Sequence, residues 1–292
     1  MAIWKIDELG EFVTLKRGYD LPQQKRKNGE IPIFSSSGVT GTHNEAMVEA
    51  PGVITGRYGT IGEVFFAETS FWPLNTTLYV ENFHENDEKF VYYFLKTLEW
   101  KKFASASAVP GINRNTVHKE IVRFPDFETQ QKIASVLSTI DKKIAVNKAI
   151  NDNLEQQAAA LFSSLYNRSN TEVRYTDLIQ ILGGGTPKTG ETAYWNGNIA
   201  FFTPKDVGTP YTFITEKTIT EEGLSHCNSR LYPVNTVFVT ARGTVGKVGL
   251  SGIPMAMNQS CYALVGKETH QLLVYFYTLK ACLLYTSPSP RD

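Results

Sequence analysis

Three stretches of this chain have residue types that could do phosphate or metal chemistry. Gly183-Gly184-Gly185-Thr186-Pro187-Lys188-Thr189-Gly190 carries the glycines, threonine and lysine of a phosphate loop. A working loop needs G-x-x-x-x-G-K-[ST], so that backbone amides and the lysine converge on the phosphates. That spacing is absent, and Pro187 removes a donor where one would be useful. A turn between strands is the expectation. Gly56-Arg57-Tyr58-Gly59-Thr60-Ile61-Gly62 likewise lacks the G-x-G-x-x-G of a dinucleotide site. Asp126 and Glu128 have the look of nuclease acids, which hold an ion against the attacking and leaving oxygens. They stand at a helix start, where capping and the helix dipole account for both carboxylates.

Other catalytic equipment is missing. The five histidines, His43, His84, His118, His226 and His270, are isolated and read as surface or packing residues. Cys227, Cys261 and Cys282 are odd in number and lack zinc-site or disulfide-framework spacing, which fits a reducing cytoplasm. There is no Pro-Pro, so the Asp/Asn-Pro-Pro-aromatic loop of a base methyltransferase is absent, and no helicase or ATPase motif appears. We expect no catalytic residue, metal ligand or cofactor site on this chain.

What remains suits recognition. Ser35-Ser36-Ser37-Gly38 and Thr203-Pro204-Lys205-Asp206 follow corresponding strand-like runs. Arg57-Tyr58 and Arg242 precede the turns Gly59-Thr60-Ile61-Gly62 and Gly243-Thr244-Val245-Gly246, and Lys247 follows the second. Arg, Lys, Ser and Thr on turns are the groups that touch phosphates and base edges. The candidate DNA-contacting residues are therefore Ser35, Ser36, Ser37, Arg57, Tyr58, Thr60, Thr203, Lys205, Arg242, Thr244 and Lys247. Read blandly, the turns are hairpins with a solvent-facing arginine.

These candidates recur because the chain says similar things twice. The Gly-Thr-x-Gly turns align at an offset of 184. At 183, Asn75 meets Asn258, Tyr79 meets Tyr262, and Val91-Tyr92-Tyr93 meets Val274-Tyr275-Phe276. At 168, Gly29–Ile33 meets Gly197–Phe201. So long a unit is a domain, whereas solenoid repeats run to roughly 20–50 residues. In residues 1–124, short β-branched and aromatic runs (Ile31–Phe34, Gly52–Thr55, Glu63–Phe66, Thr77–Val80) are punctuated by Gly, Pro, Ser and Asn. Residues 88–102 switch to helical spacing, and residues 169–280 repeat the plan. The expected class is α+β, with a curved sheet in each of two tandem domains.

Between the domains, residues 125–168 hold the clearest helix, with no Gly or Pro after Pro125. Alternating steps of four and three pick out Ile133, Leu137, Ile140, Ile144, Asn147, Asn151, Leu154, Ala158, Leu161 and Leu165, a coiled-coil seam. A helix of ~40 residues spans roughly 60 Å. Asn147 and Asn151 would weaken such a seam while fixing its register and partner. A second long helix is expected beyond the second domain. Instead Leu284–Asp292 fits neither helix nor strand, and we expect 281–292 to be a non-native or disordered tail of a truncated frame. The seam is then open to another copy or a partner.

Composition sets outer bounds. Hydrophobic residues make up 42% of 292, which is globular, and formal charge is zero, mildly against a nucleic-acid binder. A partner could supply positive field. Lys25-Arg26-Lys27 is the one dense basic run. No apolar run nears the ~20 residues of a membrane span, and the N-terminus does not read as a signal peptide.

Together these residues resemble the specificity (S) subunit of Type I restriction-modification systems. The second domain carries the sharper signature: GGGTPKTGETAYWNGNIAFFTPKDV at 183–207, ITEEGLSH at 219–226, VNTVFVTARGTVGKV at 234–248 and Asn258-Gln259. In the first, GEIPIFSSSGVTG at 29–41, GRYGTIGEV at 56–64 and WPLNTTLYV at 72–80 resemble the other common version of the domain. FPDFETQQKIASVLSTIDKKIAVNKAI at 124–150 is similar to the family's central helix. The resemblance implies two target-recognition domains, each reading half of a split DNA sequence. It implies helices that set the gap and dock modification subunits, which bind S-adenosylmethionine and methylate adenine. Restriction subunits would add ATP-driven translocation and cleavage, with magnesium. It also allows pairing of two copies through the central helix. Two rivals stand beside it: a single-chain nuclease or methylase with an unfamiliar site, and a coiled-coil adaptor with no DNA role.

Overall fold

The computed structural model describes residues 3–105, 110–169, 172–208, 210–243 and 245–286. The chain divides into two compact units, Met1–Ile150 and Asn151–Asp292.

In the first unit an antiparallel sheet runs in the order Thr14–Arg17, Thr77–Asn82, Gly52–Gly56, Val64–Ala67. Successive side chains of a strand point to opposite faces. Val53, Leu78 and Val80 therefore enter one core, with Phe12, Phe90, Val91, Leu95 and Trp100. Ile54 and Tyr79 enter another, with Phe34, Ala67 and Phe71. With both faces covered, Gly52–Gly56 is buried along its whole length, the polar Thr55 included. A three-stranded sheet, Gly38–His43, Ile31–Ser35, Trp72–Pro73, carries the serine turn, and Trp4–Glu8 pairs with Ile121–Pro125.

The second unit repeats this order: Ile179–Gly183, Cys261–Gly266, Val237–Thr240, Val248–Ser251, with Tyr211–Thr212 added at the edge. Its small sheet runs Lys217–Ile219, Trp195–Phe202, Met255–Met257. The registers show which residues correspond. Ile54 pairs with Tyr79, and Phe238 pairs with Ala263. The offset of 184 thus continues through this strand. Tyr79 corresponds to Ala263, and Asn75 to Gln259, rather than to Tyr262 and Asn258 as the offset of 183 suggested. Burial agrees: Tyr79 is 4% exposed and Tyr262 is 48% exposed. Beyond the strand the offset of 183 does hold, since Val91 and Val274 are both fully buried.

The helix expected over 88–102 stops earlier. It spans Glu88–Lys96, and a separate turn follows at Trp100–Phe103. Side chains take over the last carbonyls: Thr97 Oγ1 donates to Phe94 and Trp100 Nε1 to Leu95. The corresponding helix of the second unit runs Gln271–Thr286. It continues through Leu284–Thr286, where sequence promised no regular structure, because its first breaker is Ser287-Pro288, and a residue before proline avoids the helical region. Residues 287–292 of the expected tail lie outside the described residues.

The long helix is Phe127–Arg168, 42 residues. Asp126 caps it, accepting from the Thr129 amide at 3.0 Å and, with its other oxygen, from the Ile3 amide at 2.7 Å. Glu128 pairs with Lys132 one turn on. Near its start, Ile133 and Ala134 join the core of the first unit. Near its end, Phe162 stacks on Phe276 at 5.5 Å and meets Tyr277 edge-on. Of the seam, Ile133, Leu137 and Ala158 are half-buried. Ile140, Ile144, Leu154, Leu161 and Leu165 are 49–63% exposed. Asn147 and Asn151 also face solvent. Among the described residues no helix is long and apolar enough to cross a membrane.

Candidate nucleic-acid interface

The Gly-Thr-x-Gly segments are the same turn in both units. In the first, Gly56 donates to Glu63 at 3.1 Å and Gly62 donates back to Gly56 at 3.3 Å. In the second, Thr240 donates to Lys247 at 3.0 Å and Gly246 to Thr240 at 2.9 Å. Both turns need positive φ at two places: Gly59 (+72°) and Gly62 (+84°), then Gly243 (+78°) and Gly246 (+83°). Glycine reaches that region more readily than any residue with a side chain, which explains the repeated spacing.

Their arginines are not equivalent. The Arg57 amide donates to Thr76, and the Ala241 amide to Ser260, so Arg57 corresponds to Ala241 and Tyr58 to Arg242. The half-buried Arg57 donates from Nε to the Ile112 carbonyl at 3.1 Å and lies 4.6 Å from the Tyr58 ring centroid. Arg242 is exposed, with no hydrogen bond or ion pair among the described residues. A bonded, stacked guanidinium is partly a building block, whereas an open one is a ready donor fork.

The serine turn packs against this site in the first unit. Ser35 Oγ donates to Gly38 at 3.1 Å and accepts from the Ser37 amide at 3.2 Å. The Ser36 hydroxyl lies 3.3 Å from where a Gly59 side chain would begin. Ser36, Thr60, Arg57 and Tyr58 therefore belong to one surface. In the second unit Thr203 is turned inward: its amide and hydroxyl both donate to Asp206 Oδ2, at 2.8 and 2.6 Å. Asp206 Oδ1 accepts from the Glu216 amide at 2.7 Å. Lys205 is exposed and pairs with Glu216 at 3.5 Å. A side chain at Gly243 would meet nothing within 4 Å, so the two turns are not packed together there. Lys247 is exposed beside its turn, and Thr244 lies outside the described residues.

Folding brings further cationic and amide side chains to this site. Lys16, Arg17, Asn113, Arg114 and Asn115 line, with Arg57, an opening of about 340 Å³. Lys16-Arg17 before Gly18, and Arg114 between two asparagines, were the available signals. Neither stretch is dense in charge, and their meeting is a product of folding.

Groups of a type that does chemistry are engaged in other contacts. His118 Nε2 accepts from the Leu15 amide at 2.9 Å, and His43 Nδ1 from the Lys27 amide at 3.0 Å. His84 meets Thr14 Oγ1 at 2.7 Å, His226 stacks on Tyr194, and His270 Nδ1 accepts from the Leu272 amide at 3.4 Å. Burial pushes the Cys261 thiol up to about 12, far from a reactive thiolate. The amides of Thr129 and Ile3 hold the Asp126 carboxyl below its usual range, as a cap requires. In the glycine-rich loop, a side chain at Gly184 would strike the Met257 and Asn258 carbonyls, and one at Gly185 the Asn228 backbone. These glycines serve close packing. Among the described residues no three His, Cys, Asp or Glu side chains converge as a metal site.

The profile of the Type I restriction modification DNA specificity domain matches residues 1–156 and again 167–288. The chain belongs to that family. It is 29% identical over 204 residues to the Type I restriction enzyme EcoR124I/EcoR124II specificity subunit of Escherichia coli, covering 65% of this chain and 50% of that protein. It is 32% identical over 114 residues to the MjaIX specificity subunit of Methanocaldococcus jannaschii, covering 37% of this chain and 26% of that one. The alignments thus span half or less of these relatives' lengths. The fold is similar to that of the S subunit of a Type I restriction-modification system from M. genitalium, with a TM-score of 0.64 at 17% identity over 98% of this chain and 80% of that one.

Proposed function

We propose that this chain is a DNA-sequence specificity subunit of a Type I restriction-modification complex, and that each unit reads one half of a split target. The observation that carries this is the recurrence, in a chain of this family, of one glycine-fixed turn at one register in both units, with different side chains on it. A common frame with different side chains suits two readers of different half-sites. Direct readout would come from Arg57-Tyr58 with the serine turn in the first unit, and from Arg242, Lys205 and Lys247 in the second. A good bidentate base contact is worth roughly 1–3 kcal/mol of discrimination.

The chain does no chemistry in this reading. Modification subunits dock on the central helix, bind S-adenosylmethionine and methylate adenine, while restriction subunits use ATP and magnesium. The setting is the cytoplasm. The open stripe Ile140, Ile144, Leu154, Leu161 and Leu165 supports pairing of this helix with another helix, a second copy included. A single-copy mass by light scattering at micromolar concentration contradicts self-pairing.

The reading is tested by selecting duplexes from a random library with the chain and its modification subunit. Enrichment of two short motifs at a fixed gap is expected. Recovery of unselected sequence overturns it.

A further inference from the structure

The opening beside Arg57 has the charge of an anion site. Lys16, Arg17, Arg57 and Arg114 line it, with Asn113 and Asn115 as further donors. Among the described residues only Lys16 has a carboxylate partner, Glu81 at 2.5 Å. That pairing raises the Lys16 pKa, and Arg114 acts against the rise, so the two cations feel each other. The cluster is held in place. Arg57 Nε donates to Ile112, one residue before Asn113. Asn113 accepts from the Asn115 amide and so fixes the turn that presents Arg114. Like charges gathered at a surface repel unless an anion joins them.

The second unit lacks this feature at the corresponding positions. Lys16 pairs with Tyr79, and Leu182 with Ala263, so Lys16 corresponds to Leu182 and Arg17 to Gly183. Arg57 corresponds to Ala241. Three cationic positions become apolar or bare.

We propose that Arg17 and Arg114 clamp backbone phosphate of duplex DNA beside Arg57, and that the first unit alone carries this clamp. The inference rests on the DNA-reading proposal above. It makes the two units unequal: the first anchors the duplex without regard to sequence beside its reading turn, and the second depends more on its base contacts.

The test compares wild type with Arg17→Ala plus Arg114→Ala, binding a fluorophore-labelled mixed-sequence duplex across a salt series. Both arginines are exposed, and Lys5→Ala plus Lys267→Ala, exposed and on neither the long helix nor the glycine turns, is the charge control. Each lost phosphate contact should reduce the salt slope by about 1. The expected result is a slope shallower by about 2 and weaker binding to every duplex alike, with the control unchanged. Duplex binding with an unchanged slope, or an equal loss in the control, overturns the clamp while leaving the DNA reading intact. A loss confined to particular sequences overturns the phosphate assignment in favour of base contact. A wild-type chain that binds no duplex even with its modification subunit overturns both proposals.

Discussion

Gln130 and Asn86 join the long helix to the first unit through an amide pair, one side buried and the other half-buried: Gln130 Nε2 donates to Asn86 Oδ1 at 2.7 Å. Gln130 is 2% exposed, and its amide nitrogen and oxygen each have a further partner. Nε2 also donates to the Pro125 carbonyl at 2.9 Å, and Oε1 accepts from the Asp87 amide at 3.0 Å. Asn86 in turn donates to Phe12 at 2.8 Å. The first turn of the long helix, the start of Glu88–Lys96 and the core residue Phe12 thus share one polar network.

Gln130→Leu removes this partner from the half-buried Asn86 oxygen and Asp87 amide and from the buried Pro125 carbonyl. Each such orphaned group costs about 1–3 kcal/mol. We expect chemical denaturation to show a loss of at least that size for Gln130→Leu, while Gln131→Leu on the exposed face stays within about 0.5 kcal/mol of wild type.

His118 makes the first unit acid-sensitive. Burial lowers its pKa below the usual 6.5, and the Arg114 charge lowers it further. Its Nε2 accepts from Leu15, so protonation breaks that bond. The folded state therefore binds fewer protons than the unfolded state, and stability must rise with pH across the window. The contribution is complete above pH 6.5 and is lost as pH falls through the lowered folded value. Melting temperatures between pH 7.5 and 5 should drop more steeply for wild type than for His118→Gln.

The unequal arginines predict unequal mutants. Arg57→Ala removes a bond to Ile112 and a ring contact, so it should lower stability by about 1 kcal/mol as well as weaken DNA binding. Arg242→Ala should leave stability within about 0.5 kcal/mol and change only binding. If it reads a base, one half-site relaxes; if it holds a phosphate, the salt slope falls by about 1 for all sequences. Unchanged binding and unchanged sequence choice would remove Arg242 from the interface.

The register predicts a compensating swap. Ile54 faces Tyr79 in one unit, and Phe238 faces Ala263 in the other. Ala263→Tyr alone overfills a site that is fully buried, at a cost of about 1–3 kcal/mol or more. Adding Phe238→Ile should recover a good part of the loss in thermal denaturation. No recovery would contradict the assigned correspondence.

That pair also shows where the sequence was legible. Strand positions, the long helix and the glycine turns could be read because β-branching, heptad spacing and positive-φ glycines are local signals. The correspondence along Thr77–Asn82 could not, because a matching tyrosine and asparagine happened to lie one residue out of step. A one-residue slip in a strand moves a side chain to the opposite face. Only the pairing partner exposes the error. The candidate site was half legible for the same reason. Arg57 and the serine turn stood out by type, but the contact of Ser36 with Gly59 and the gathering of Arg17 with Arg114 bring together segments far apart in sequence.

In the proposed function the two units read different halves of one target. The most direct measurement is base-resolution methylation mapping of DNA from cells expressing this chain with its modification subunit. Methylated adenines should fall in a split motif with two different halves at a fixed gap, with Arg242→Ala altering methylation only through the half read by the second unit. A single contiguous motif, or Arg242→Ala relaxing both halves, would contradict it.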